Sequence, residues 1–115
     1  MHRFLVSLCL VLILISASSQ AMLVNAFLKH PETEQHVYAF GAVHMLAFTE
    51  AMDGHKARAQ CIMDWYNAKG ENQFFGAANL APQAFKARFG FDRDDGTIAH
   101  IEVVLIRMAN DACPK

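Results

Sequence analysis

The sequence predicts an all-α protein, a small bundle of about four helices closed by one disulfide. Apolar residues recur at helical spacing in successive stretches, each bounded by Gly, Pro or Asp, as amphipathic helices require. Two cysteines, Cys61 and Cys113, remain once an N-terminal apolar segment is set aside, an even count with one possible pairing. No repeat, low-complexity tract or linker interrupts the rest of the chain, so residues 22–115 read as a single helical domain.

Residues 1–21 read as a cleavable secretion signal. A basic start at Arg3 leads into an apolar run from Phe4 to Ile15, and Ser16-Ala17-Ser18-Ser19-Gln20-Ala21 forms a small-residue exit. Ser19 and Ala21 occupy the two positions that a signal peptidase reads, which places cleavage after Ala21, with Ala26 as a second site. A membrane anchor would need about 20 apolar residues, and this run is shorter. Cys9 lies inside the run and follows Leu8 rather than a small residue, which argues against a lipoprotein. The expected location of the working domain is therefore periplasmic or secreted. In such an oxidising compartment Cys61 and Cys113 are expected to form a disulfide rather than two free thiols.

The helices follow in order. From Thr33 to Met52, Val37, Phe40, Phe48 and Met52 mark an apolar stripe, with Pro31 before it, Thr33 as a cap and Asp53-Gly54 as the stop. A second helix runs from about Lys56 to Ala68 and sets Cys61 one turn before Trp65 and Ile62 one turn before Tyr66. Lys69-Gly70-Glu71-Asn72-Gln73 has turn chemistry, and Phe74-Phe75-Gly76 follows as a connection. Two aromatics there read either as core residues folding back or as an exposed binding element. A short third helix, Ala81 to Phe89, carries Pro82 in its first turn and stops at Gly90. The loop from Phe91 to Gly96 is charged, and Asp95 or Thr97 is placed to cap the last helix, Ile98 to Asp111. Ile98, Ile101, Val104, Leu105 and Met108 form the apolar face of that helix, although its β-branched content also suits a strand.

Function is narrowed by elimination. Ser7, Ser16, Ser18 and Ser19 are the only serines and all lie in the signal, so a serine nucleophile is excluded from the domain. Bridged cysteines are lost as nucleophiles. The five histidines of the domain, His30, His36, His44, His55 and His100, include no pair at the H-x-x-x-H spacing of helical zinc sites. His44 falls on the stripe of Val37, Phe40 and Phe48, and reads better as a hydrogen-bonded core or interface histidine than as a ligand. Counting from Asp92, the acidic loop puts Gly96 at position five and Val103 at position twelve, where a calcium loop needs Gly at six and Glu at twelve. Without Arg3, nine Lys and Arg face eleven Asp and Glu, a balance unsuited to nucleic acid. No catalytic residue, metal site or cofactor is assigned, and the domain is expected not to be an enzyme.

A signal segment, a helix bearing Tyr38-x-x-Gly41, a cysteine at Cys61, a short helix at Leu80 to Phe89 and an aliphatic last helix running into Cys113-Pro114 occur in this order. The pattern resembles the Rap/Tai-type immunity proteins, and covers most of the domain. The chain departs from the family at His44, where Asp is usual, and at Gln60, where an aromatic is usual. The resemblance implies a small periplasmic helical protein, dimeric in some members, that neutralises a peptidoglycan-cleaving amidase toxin delivered by type VI secretion. Glu71, Asn72, Gln73, Phe74 and Phe75 are the expected contact residues, as aromatic anchors inside a polar rim. The alternatives are a small periplasmic metal- or ligand-binding protein, or a structural or chaperone-like envelope protein with no toxin partner.

Overall fold

The computed structural model describes residues 21–115. The expected signal segment thus lies outside the described residues except for Ala21. The described chain is all-α: α1 Val24–Lys29, α2 Glu32–Met52, α3 Lys56–Trp65, a π-helical turn Tyr66–Gly70, α4 Glu71–Ala78, α5 Pro82–Phe89 and α6 Ile101–Ala112.

The 21-residue helix α2 is the frame. It begins after Pro31 with no side-chain cap, so Thr33 does not take the expected capping role. Glu32 and Glu34 in its first turn suit the positive end of the helix dipole. It stops where Gly54 adopts φ +88°, a conformation that costs a residue without a side chain little. The buried face of α2 is made by Ala39, Val43 and Ala47 rather than by the expected stripe, and against it α3 makes the most extensive helix contact of the fold. Arg58 of α3 closes this corner: its Nη1 lies 2.6 Å from Glu50 of α2, and its Nε donates to the carbonyl of Cys113 at 3.0 Å. Burial alone would raise the Glu50 carboxyl, but hydrogen bonds from His55 and Arg58 outweigh it and hold the group below its ordinary value.

The turn expected at residues 69–73 is helix. α3 passes into α4 through the π turn, in which the backbone widens by one residue instead of breaking. Gly70 is the reason it can do so here: a Cβ at this position would stand 2.6 Å from Cε2 of Trp65, so only glycine lets the indole lie against the backbone. Trp65 is held there by its Nε1, which donates to Gln73 Oε1 at 3.2 Å. Ile62, Tyr66, Gly70, Phe74 and Ala78 are all buried at a strict four-residue spacing. In a pure α-helix that spacing drifts around the axis by about 40° per step. The underwound turn takes up part of the drift and keeps these residues on one face.

α5 follows as predicted, with Pro82 in its first turn and Gly90 at φ +82° after its end. Phe85, Phe89 and Phe91 form an aromatic group beneath it. The last helix is a helix and not a strand, but it starts at Ile101, three residues later than expected. Residues 99–101 are engaged elsewhere: Val24 donates to the carbonyl of Ala99 at 2.9 Å, Ile101 donates to that of Met22 at 2.8 Å, and Leu23 forms an antiparallel bridge with His100. A carbonyl from the other end of the domain thereby satisfies one of the amides that every helix start leaves open. Ile98, expected on the buried face, is instead half exposed in the preceding turn, whereas Ile101, Val104, Leu105 and Met108 are buried. Asp95 caps that turn, not α6: its carboxylate accepts from the amide of Thr97 at 2.9 Å.

Buried residues from α1 to Cys113 form one hydrophobic cluster, in which Phe27 of α1 meets Phe74 of α4 edge-on at 5.9 Å between ring centres. Cys61 and Cys113 are bonded, with Cα atoms 6.0 Å apart, which ties α3 to the end of α6.

Two substitutions or treatments test these features. Gly70→Ala should lower stability by about 1–3 kcal/mol through overpacking and shift the emission of Trp65; an unchanged urea midpoint and spectrum would count against the close contact. Reducing the bridge should cost about 4 kcal/mol for a 52-residue separation, read as a fall in the urea midpoint on adding a thiol.

Candidate functional site

The side chains expected in the core of α2 lie on its outside. Val37, Phe40, Phe48 and Met52, together with the neighbouring Met45, are between 51% and 73% exposed. α2 is apolar on both faces, and the face that packs is the one with small residues, because Ala39 and Ala47 let α3 approach closely. The solvent face has no Asp, Glu, Lys or Arg from Val37 to Thr49. With a whole Phe presenting about 200 Å², the five side chains expose on the order of 500 Å², toward the upper end of the largest patch a typical monomer carries.

Between this face and α6 runs an apolar groove of about 640 Å³, lined by Val37, Gly41, Met45, Leu46, Leu105 and Ile106 among others. A Cβ added at Gly41 would meet nothing within 4 Å, so the motif glycine keeps the groove low without being needed for packing. His44 is exposed rather than in the core; its Nδ1 pairs with the carbonyl of Phe40 at 2.9 Å and its ring lies 4.0 Å from that of Phe40.

One end of the groove is polar. The hydroxyl of Tyr38, the motif tyrosine, donates to Glu102 Oε1, and the backbone amide of Met22 donates to the same oxygen at 3.4 Å. Glu102 Oε2 is buried and has no hydrogen-bond partner. Burial first, and then the adjacent Glu102 carboxylate, pushes the Tyr38 hydroxyl well above its ordinary value, so it stays a donor across the physiological range. A second cavity of about 390 Å³ lies on the other side of Tyr38, lined by Met22, Phe27, His30 and Glu34.

The residues expected to contact a partner are differently placed. Glu71, Asn72, Gln73, Phe74 and Phe75 belong to α4, not to a connection. Phe74 is 1% exposed inside the core, which removes it as an anchor, and the core alternative holds for it. Phe75 is half buried and stacks on His36, 4.2 Å between ring centres. Asn72 and Gln73 remain exposed and Glu71 partly so, the last 3.2 Å from His36 Nδ1.

The histidines are dispersed. His30 pairs with Glu34 and His55 with Glu50, each at 3.0 Å, while His100 Nδ1 is buried without a partner. Among the described residues no three His, Cys, Asp or Glu side chains are grouped so as to hold a metal ion. The carboxylates of the 92–95 loop are each engaged, Asp92 with Lys86 at 3.5 Å, Asp94 with Asn25 and Asp95 with Thr97. Among the described residues no helix is long and apolar enough to cross a membrane.

No protein-family model, curated protein or solved structure matches the chain. Sequence reasoning missed the groove because it assigned the bulkier stripe of α2 to the core. The signal that pointed the other way was Ala39, Val43 and Ala47 at four-residue spacing.

Tyr38→Phe should cost about 1–3 kcal/mol, since it takes a donor from a carboxylate that already has one oxygen unsatisfied. Chemical unfolding of the variant checks this, and a loss below 0.5 kcal/mol would mean that water replaces the hydroxyl without penalty.

Proposed function

We propose that the protein is a secreted inhibitor that blocks an enzyme by surface complementarity, with the exposed face of α2 and the α2–α6 groove as its contact surface. The observation that carries this reading is the uncharged apolar patch from Val37 to Met52, a surface kind that marks protein-binding sites. Phe40 and Phe48 are the aromatic anchors in place of Phe74 and Phe75, and His44 with Thr49 supplies polar contacts beside them. The Cys61–Cys113 bond suits an oxidising compartment, in keeping with the signal segment read from the sequence. The Tyr38-x-x-Gly41 and Cys113-Pro114 pattern extends the proposal to immunity against a peptidoglycan-cleaving amidase acting in the periplasm. Of that pattern, Gly41 lines the groove and Tyr38 fixes its polar end.

The test is inhibition of a secreted peptidoglycan-cleaving amidase, sought first in the neighbouring reading frame and measured as cleavage of purified peptidoglycan. The wild-type protein should suppress cleavage. Phe40→Asp with Phe48→Asp should weaken inhibition by at least about 30-fold while leaving thermal stability near the wild-type value. Full inhibition by the double variant would remove this face from the interface, and no inhibition by the wild-type protein would remove the function.

A further inference from the structure

We propose that proteolysis between Ala21 and Met22 creates an ion pair within the fold, in which the new α-ammonium of Met22 binds the Glu102 carboxylate at the polar end of the α2–α6 groove. Three observations lead to this maturation site. The nitrogen of Met22 already stands 3.4 Å from Glu102 Oε1 as an amide. Cleavage would turn that same atom into a charged group with three donors, and bonds from charged groups are the stronger kind. The atom has little freedom to leave, because the carbonyl of Met22 accepts from Ile101 at 2.8 Å and Val24 donates to Ala99 at 2.9 Å.

Glu102 is also incompletely satisfied before cleavage. Its Oε1 takes Tyr38 and Met22, whereas the buried Oε2 takes nothing. A buried carboxylate oxygen without a donor is costly, and an ammonium has three donors where the amide has one. Among the other titratable groups nearby, His30 is engaged with Glu34 at 3.0 Å, and Tyr38 is a neutral donor. His100 holds its Nδ1 buried without a partner just before α6.

The fold also separates the two cleavage sites that the sequence leaves open. Ala21 is exposed, and cutting after it leaves every buried residue from Val24 onward in place. Cutting after Ala26 would remove Val24, which is 0% exposed, together with the Leu23–His100 bridge and the carbonyl that caps α6. Maturation at Met22 thus strips the apolar leader and completes the hydrogen bonding of the groove in one step. The inference rests on the secretion-signal part of the proposed function and is independent of any inhibited enzyme.

The full chain, expressed with its own leader and recovered after export, gives the first readout by intact mass. A product beginning at Met22 is expected; one beginning at Phe27, or still carrying Met1, overturns the proposal. The second readout is the rate at which an amine-selective acylating reagent modifies the Met22 α-amine near neutral pH. An ion pair that raises the amine by one pKa unit cuts its unprotonated fraction about tenfold at a pH below both values, so the folded wild-type chain should react about tenfold more slowly than E102Q. The same chain in urea is a reference that needs no variant to fold, and it too should react about tenfold faster. Equal rates in all three overturn the ion pair even when the product begins at Met22. The mass and the rate are read without a partner, so their outcome is distinct from that of the inhibition assay.

Discussion

The architecture depends on which face of α2 is narrow enough to be approached. Ala39, Val43 and Ala47 form a shallow stripe, and a helix laid on such a stripe comes close enough for Ile62 and Trp65 of α3 to reach the common core. Large side chains on the packing face would have held α3 away. They occupy the other side of α2, where no element among the described residues covers them. The same choice therefore produces both the tight α2–α3 pair and the exposed apolar surface, and neither exists without the other.

The remaining elements are fixed by links between distant parts of the chain rather than by helix propensity. The first amide of α6 donates to the carbonyl of Met22 and its C-terminal end is bonded to Cys61, so both of its ends are tied to segments more than 50 residues away. Arg58 adds a polar tie between α2, α3 and the carbonyl of Cys113, next to the disulfide. In a chain this short, where a smaller fraction of the surface is buried, such ties make up for the limited core. They also keep α6 at a set distance from α2, which gives the groove its width.

Much of the fold was legible in the sequence. The bounds of α2 and α5, the helix stops at Gly54 and Gly90, and the pairing of Cys61 with Cys113 follow from local chemistry and from cysteine number. Two kinds of feature were not legible. Lys69 to Gln73 carries the residue types of a turn, yet it is helical, with Gly70 leaving room for the Trp65 indole against the backbone. Residues 98–100 have helical periodicity, yet pairing with Leu23 and its neighbours holds them extended or in a turn. The surface was misread for a related reason: hydrophobicity identifies what favours burial, and on a helix apolar on both sides steric fit decides which side is buried. Tyr38 and Gly41 stood out in the sequence as a pattern, but their joint place at the groove depends on Glu102, which lies 64 residues from Tyr38.

The π turn makes the chain sensitive to length in a way that composition does not reveal. Trp65 and Phe74 are brought to the core with one residue more than a regular helix would place between those faces. Losing a single residue from Tyr66 to Gly70 would let the segment relax to regular winding with the flanking faces close to register, whereas adding one more would turn everything after it by about 100°. Phe74 and Ala78 would then leave the aromatic cluster around Phe27, although no buried side chain need have been changed. In related sequences one residue fewer between these two aromatics should accordingly be tolerated as regular winding, and an insertion there would signal a different fold of the second half.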